Sequence, residues 1–201
     1  MLEIRIHGRG GQGAVVASET LATAFFNDGK SVQTFPEFGV ERRGAPVTAY
    51  VRADTKPVRL RCRIYSPDHL IILDPVLLNS IDVTEGLKKD GWILINSNKE
   101  PLCLEISSRR GGSGTGKFRI ATVDATGIAI KYSLGPRTTP IVNTAILGAF
   151  CRLPDTQSKK TQKLTGLVKL KSLEKAIAAI VPVKTEKNLA AAREAYKTVR
   201  F

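Results

Sequence analysis

Apolar and polar residues alternate along most of the chain in short blocks that predict strands and helices in turn. Alternating or continuous apolar runs predict strands at residues 2–7, 31–35, 47–51, 70–73, 92–96 and 118–123. Apolar residues at helical spacing predict helices at residues 14–27, 76–89, 127–133 and 139–152. The uninterrupted apolar run at 70–73, which ends at Asp74-Pro75, is typical of a buried parallel strand. This order predicts an α/β fold with a mostly parallel, Rossmann-like sheet that carries helices on both faces.

The C-terminal part of the chain has a different pattern. Residues 157–175 are polar and rich in lysine, and Pro182 separates two helical stretches at 173–181 and 189–199. We expect these stretches to form a C-terminal α-helical extension that packs on the same domain. The chain is therefore predicted to be a single domain, 1–201, with its core at about 1–153 and its helical tail at about 157–201.

Composition excludes several classes of protein. The chain of 201 residues is 42% hydrophobic, which is normal for a globular protein, and no apolar run is long enough to span a membrane. The three cysteines, Cys62, Cys103 and Cys151, are far apart, which argues against a disulfide framework, a zinc site and an iron–sulfur cluster. Met1 leads directly into a predicted strand, so we expect no signal peptide and a cytoplasmic location.

The charge of the chain is strongly positive. It has 31 Lys and Arg residues against 18 Asp and Glu residues, which gives a net charge of +13, and one basic stretch extends from the third predicted strand to Arg63. Such a surface attracts polyanions, whether nucleic acid, phosphorylated cofactors or an acidic protein. The alternative is that most of the lysines simply form solvated faces.

A glycine-rich segment, GRGGQG at residues 8–13, lies between the first predicted strand and the first predicted helix. It fits the G-x-G-x-x-G pattern, in which glycines close the turn, admit a ligand to the backbone and allow close helix packing. Amides at the positive end of the helix favour a phosphate or a carboxylate. The alternative is a purely structural turn. A dinucleotide site also needs an acidic residue after the second strand, and Glu37 follows Pro36 inside a charged loop, which argues against NAD.

That charged loop, PEFGVERRGAP at residues 36–46, is the more specific signal. Its adjacent guanidinium groups, Arg42 and Arg43, can present planar donors to a phosphate or a carboxylate. Glu37 and Glu41 could orient those arginines or pair with a partner chain. The alternative is a solvated turn whose charges pair with each other.

Other motifs carry less chemistry. Residues 111–117 have the spacing G-x-x-x-x-G-K, but Phe118 follows where a P-loop needs Ser or Thr, and a strand follows where it needs a helix. We therefore predict a flexible hairpin loop and no ATP site there. The two histidines, His7 and His69, are isolated, and no nucleophile–base spacing predicts a self-contained catalytic site.

The glycine segment with AVVASETLA after it, and PEFGVERRGAP with the strand after it, resemble the gamma subunits of 2-oxoacid:ferredoxin oxidoreductases, particularly the pyruvate and ketoisovalerate enzymes. IILDP at residues 71–75 and NTAILGA at residues 143–149 add to the resemblance, which covers residues 2–153 best.

The resemblance implies a complex that decarboxylates a 2-oxoacid oxidatively with coenzyme A and reduces ferredoxin. It implies alpha, beta and delta subunits as partners, no nucleic acid, no membrane, and a dimer of the whole complex as one arrangement. It places thiamine diphosphate, magnesium and iron–sulfur clusters on the partner subunits, leaves catalysis and metal binding to them, and brings coenzyme A to a subunit interface of this chain. The residues implied for that interface are Gly8, Arg9, Gly10, Gly11, Gln12, Gly13, Glu37, Glu41, Arg42 and Arg43.

Two other hypotheses remain open from the residues alone. The glycine pattern allows a stand-alone dinucleotide-dependent oxidoreductase, and the net charge allows a nucleic-acid-binding module. The scarcity of aromatic residues near the basic clusters argues against base stacking in the latter.

Overall fold

The computed structural model of the chain describes residues 1–37, 44–104, 118–154 and 167–201. The strands are β1 (Leu2–Arg9), β2 (Ser31–Glu37), β3 (Pro46–Asp54), β4 (His69–Ile72), β5 (Trp92–Asn96) and β6 (Arg119–Val123). The helices are α1 (Ala14–Asn27), α2 (Leu77–Ser80), α3 (Ala125–Lys131), α4 (Asn143–Arg152), α5 (Leu170–Ile180) and α6 (Thr185–Thr198), with a short 3-10 helix at Pro101–Cys103.

The described strands form one six-stranded sheet in the order β2-β3-β1-β4-β5-β6. Strands β1, β4, β5 and β6 pair in parallel, whereas β3 runs antiparallel to both β1 and β2. Strand β2 therefore points in the same direction as β1, and only β3 is reversed among the described strands. The predicted α/β fold with a mostly parallel sheet is confirmed.

The two faces of the sheet are covered unequally. Helices α1, α3, α4, α5 and α6 contribute to the larger apolar core, which includes Ile4, Ile6 and Leu94 of the sheet. The other face of β4 and β5 packs on α2 and on the irregular chain after it, through Leu77, Val83 and Leu87.

The predicted helix at 76–89 is wrong beyond α2. Asp82 Oδ1 accepts hydrogen bonds from the backbone N and from Oγ1 of Thr84, so the side chain competes with helical pairing. Gly86 then has φ 74°, and a Cβ at that position would lie 1.9 Å from the carbonyl oxygen of Tyr65. The segment is therefore held as turns against the sheet. The predicted helix at 139–152 also begins late, at Asn143, after Pro140.

The C-terminal helical extension is confirmed, and both of its helices share the larger core. Helix α6 lies so close to α4 that a Cβ on Gly148 would be 2.0 Å from the carbonyl oxygen of Ala192. The chain then returns to the sheet, where Arg200 exchanges backbone hydrogen bonds with Thr122. The division into a core and a tail of one domain stays a prediction. Within the four described ranges, every helix is too short or too polar to cross a bilayer.

Candidate functional site

The candidate site lies where β1 and β4 end side by side. The two strands are adjacent and parallel. The chain leaves β1 toward α1, which contributes to the larger core, and leaves β4 toward α2, which packs on the opposite face. Divergence of the two connections opens a crevice at the carboxyl ends of the strands, which is where open α/β sheets bind ligands.

The glycine segment turns the chain from β1 into α1 through two left-handed residues, Gly11 with φ 99° and Gly13 with φ 79°. A Cβ on Gly13 would lie 2.7 Å from Nδ2 of Asn143, so α4 approaches the backbone closely at this point. Any side chain at position 13 would meet both the unfavourable φ and this contact. Asn143 belongs to the NTAILGA motif, so two of the sequence motifs contact each other here.

Only some of the backbone amides of this turn donate hydrogen bonds to described residues. The amide of Gly10 donates to the carbonyl oxygen of Ala45 at 3.0 Å, and that of Gln12 donates to Arg9 at 3.0 Å. The amides of Gly11 and Gly13 have no acceptor in the part of the chain that the structure describes. Helix α1 also has no acidic residue in its first turn and no side-chain cap. Unpaired amides at the positive end of a helix suit an anion.

Asp74, which follows β4, organises the side chains of the turn. Its Oδ2 accepts hydrogen bonds from Nε of Arg9 at 2.6 Å and from Nε2 of Gln12 at 2.7 Å, and its Oδ1 accepts one from the amide of Val76 at 2.9 Å. Oε1 of Gln12 in turn accepts from the amide of Arg9 at 2.8 Å. Because the carboxylate binds Arg9 only through Nε, the outer nitrogens of the guanidinium remain available to a ligand. The candidate residues from the sequence omit Asp74, although its place directly after a buried strand next to β1 could have indicated it.

A cleft of about 590 Å³ opens beside this turn. Its walls combine the glycine segment with hydroxyl and amide side chains from the ends of β5, α3 and the loop before α4, namely Asn96, Thr126, Thr138 and Thr139. Nδ2 of Asn96 donates to Oγ1 of Thr126 and to the carbonyl oxygen of Leu73, both at 2.9 Å. A second cleft of about 610 Å³ shares Asn96 and Thr126 as a common wall. No local sequence pattern marks these residues, because their contacts join distant segments.

Glu37 does not reach the glycine segment. Its carboxylate accepts a hydrogen bond from the hydroxyl of Tyr50 at 2.5 Å and forms an ion pair with Arg63. In register, Glu37 pairs with Thr48 of β3, and Thr48 pairs with His7 of β1, so a whole strand separates Glu37 from the turn. A dinucleotide site needs that acid on the strand next to β1. The geometry therefore argues against the stand-alone dinucleotide enzyme.

The remaining residues predicted for the charged loop, Glu41, Arg42 and Arg43, lie outside the described residues, as does the glycine-lysine segment at 111–117. A strand, β6, follows that segment at Arg119, as predicted, rather than the helix that an ATP site requires. The end of the charged loop is described, and Ala45 contacts the glycine segment through the bond to Gly10. The two sequence motifs thus meet at the same edge of the sheet.

The buried side chain of His7 forms contacts within the sheet. Its Nε2 accepts a hydrogen bond from Nε of Arg5 at 3.0 Å, and its Nδ1 lies 3.5 Å from the hydroxyl of Thr48. Burial, helped by the positive charge of Arg5, lowers the pKa of His7 to about 3, so the imidazole is neutral at physiological pH. Burial also lowers the pKa of Arg5, whose guanidinium donates to the carbonyl oxygens of Val83 and Glu85. Among the described residues, no group of three His, Cys, Asp or Glu side chains could hold a metal ion.

The fold and the cleft define a class: a Rossmann-like α/β protein with a glycine turn and a cleft at the carboxyl edge of its sheet. Comparison with known proteins gives the family. The model of the pyruvate ferredoxin/flavodoxin oxidoreductase family matches residues 3–198. The chain belongs to this family, and the resemblance to its gamma subunits is confirmed.

Relatives match along the whole chain. The common subunit gamma of the pyruvate/ketoisovalerate oxidoreductases of Thermococcus kodakarensis is 49% identical over 205 residues, which cover 100% of this chain and 99% of that protein. The crystal structure of the pyruvate oxidoreductase subunit PORC of Thermotoga maritima is 36% identical with a TM-score of 0.74, and the match covers 99% of this chain and 97% of that one.

A third matched structure is a much longer chain than this one. The 2-oxoglutarate:ferredoxin oxidoreductase of Magnetococcus marinus, solved with 2-oxoglutarate, coenzyme A and succinyl-CoA bound, aligns with a TM-score of 0.61. It is 21% identical, and the match covers 98% of this chain but 30% of that chain, so it shows a shared fold alone.

Proposed function

We propose that this chain is the gamma subunit of a 2-oxoacid:ferredoxin oxidoreductase that acts on pyruvate. The complex converts the 2-oxoacid and coenzyme A into acyl-CoA and carbon dioxide, and the two electrons released reduce ferredoxin. Alpha, beta and delta subunits carry the thiamine diphosphate, magnesium and iron–sulfur clusters in this proposal. The isolated chain is then inactive. Full-length similarity to gamma subunits of pyruvate oxidoreductases supports this assignment.

The contribution of this chain in the proposal is to accommodate coenzyme A at an interface with the other subunits. The observation that carries it is the turn between β1 and α1, where Asp74 holds Arg9 beside two backbone amides that have no acceptor among the described residues. Coenzyme A supplies the thiol that takes up the acyl group, and its phosphates are the anionic part that such a turn suits. The side chains of Thr138 and Thr139 line the same cleft and could donate to polar groups of the ligand.

Arginine at position 9 provides the test. In the assembled complex, Arg9→Gln should raise the KM for coenzyme A by about tenfold to a hundredfold, since a hydrogen bond to a charged group contributes about 1.5–3 kcal/mol. The kcat should change little, because Arg9 binds a part of the ligand that does not react. Arg193→Gln on α6 is the matched control, because it removes an exposed arginine that pairs through Nε with a carboxylate of α5 instead of with Asp74. An unchanged KM for coenzyme A in a fully assembled Arg9→Gln complex would show that the turn does not bind this ligand.

A further inference from the structure

A basic segment between β3 and β4 is exposed but firmly held. Residues 59–63, here called the arginine ribbon, have the sequence RLRCR, and all five are exposed. The ribbon is neither helix nor strand. From residue 55 to residue 67 the chain contains no acidic residue. A short coil with this charge would be expected to move freely in water unless something fixes it.

Arg52 fixes the backbone of the ribbon from beneath. Its side chain on β3 is 2% exposed, and Nε donates to Glu3 at 2.9 Å. The outer nitrogens donate to the carbonyl oxygens of Cys62 at 2.7 Å, Arg63 at 3.2 Å and Leu60 at 3.4 Å. Burying a guanidinium is costly unless its donors are satisfied, and here they are satisfied by the main chain of the ribbon.

Both ends of this stretch are also anchored. The amide of Val58 donates to the hydroxyl of Ser31 at 3.1 Å, and Ile64, directly after the ribbon, is 2% exposed. The side chains of the ribbon are mostly exposed to solvent, whereas its backbone is anchored. Arg63 pairs with Glu37, whereas Arg59 and Arg61 have no carboxylate partner within the described ranges. The backbone of the ribbon is therefore held at several points, and two of its guanidinium groups face solvent without a carboxylate partner in the described part of the chain.

Because the backbone of the ribbon is already ordered, the ribbon loses less conformational entropy when a partner binds. Adjacent apolar groups indicate the kind of partner. Leu60 is 49% exposed and Tyr65 is 72% exposed, so apolar surface is interleaved with the charges. Arginine and tyrosine are enriched among the residues that dominate protein–protein binding. A single-stranded nucleic acid would instead require several aromatic platforms along a basic groove.

We propose that the arginine ribbon is a docking surface for a carboxylate-rich surface of another polypeptide. Arg59 and Arg61 bind its carboxylates, Leu60 and Tyr65 pack on its apolar groups, and Arg52 acts only as a positioning residue. This inference rests on the proposed function, because the partner is then another subunit of the same oxidoreductase. The ribbon lies on the side of β3 opposite the core that α5 and α6 share.

The test is assembly of the complex by co-expression of all subunits. The double charge reversal Arg59→Glu with Arg61→Glu should reduce recovery of the assembled complex or weaken its association about tenfold or more, more strongly at low salt than at high salt. Lys171→Glu with Lys187→Glu, on the exposed faces of α5 and α6, makes the same change in net charge and should leave assembly within about twofold. Unchanged circular dichroism and thermal unfolding would show that each variant is folded.

A charge-reversed chain that assembles like the wild type would overturn the proposal. So would normal assembly together with a loss of binding to a labelled single-stranded DNA, since that would assign the ribbon to nucleic acid. If the wild-type chain itself fails to co-purify with other oxidoreductase subunits, the proposed function is at fault instead. Arg52→Lys keeps the positive charge but loses the planar fork, and it should make the ribbon more susceptible to trypsin without changing the residues that contact the partner.

Discussion

Asp74→Asn removes one negative charge from the candidate site without changing the volume of the side chain. Asp74 is buried, and all three of its partners are donors: Nε of Arg9, Nε2 of Gln12 and the amide of Val76. Asparagine replaces one acceptor oxygen by an NH2 donor. In either orientation that NH2 group faces a donor, so the variant loses at least one hydrogen bond.

The expected loss of stability is worked out for the less costly orientation of the asparagine side chain. There the NH2 group faces the amide of Val76, which loses a bond of about 1 kcal/mol. The bonds from Arg9 and Gln12 persist but change from a charged to a neutral acceptor, which costs about 1 kcal/mol each. Arg9 is partly exposed, and an amide is cheaper to bury than a carboxylate, so part of this loss is offset. We expect a net destabilisation of about 2 kcal/mol, or about 4–8 °C in Tm for a chain of this size.

Urea unfolding of the isolated chain, followed by circular dichroism, measures this loss. Asp82→Asn is the matched control, because both donors from Thr84 meet the same oxygen, Oδ1, which asparagine retains. The control keeps both hydrogen bonds and loses only the charge of their acceptor at a half-buried position, so it should cost about 1 kcal/mol, clearly less than Asp74→Asn. Asp74→Asn should also raise the KM for coenzyme A in the assembled complex, since a neutral acceptor holds the guanidinium of Arg9 less firmly. A stability equal to that of the wild type would refute the network around Asp74.

Three further changes test other parts of the structure. Gly148→Ala should destabilise the chain by about 2 kcal/mol in urea unfolding, because its Cβ would lie 2.0 Å from the carbonyl oxygen of Ala192. This clash outweighs the gain of about 1 kcal/mol in helix propensity. A neutral result would contradict the packing of α4 on α6. The pKa of His7 is about 3 when folded and near 6.5 when unfolded, so its stabilising contribution is complete above pH 6.5 and decreases by about 1.4 kcal/mol per pH unit as the pH falls toward 3. The stability difference between wild type and His7→Gln, measured from pH 7 to pH 4.5, should follow this slope, and a constant difference would contradict the buried neutral imidazole. Arg52→Met should lower stability by about 2 kcal/mol, because it removes the ion pair with Glu3 and the donors to the carbonyl oxygens of Cys62 and Arg63, while Lys88 stays paired with Glu3. Thermal unfolding equal to that of the wild type would contradict these contacts.

Most of the elements could be predicted from local sequence, because burial imposes a period on apolar residues. Helix α1 matches its predicted bounds, and β5 matches as well. The failure at 76–89 has a local cause that periodicity does not detect, namely the side chain of Asp82 and the turn at Gly86. Apolar spacing alone could not distinguish a helix there from turns packed on the sheet.

For the site, the sequence by itself determined the glycine turn between strand and helix, the absence of clustered cysteines and the resemblance to the family that the comparisons confirm. Tertiary structure alone decided that β3 separates Glu37 from the turn, that Asp74 holds Arg9, and that Arg52 fixes the arginine ribbon. The physical reason is that local patterns report burial and turn chemistry within a few residues. Strand order and register, by contrast, depend on how distant segments pack, and they determine which charged side chains meet.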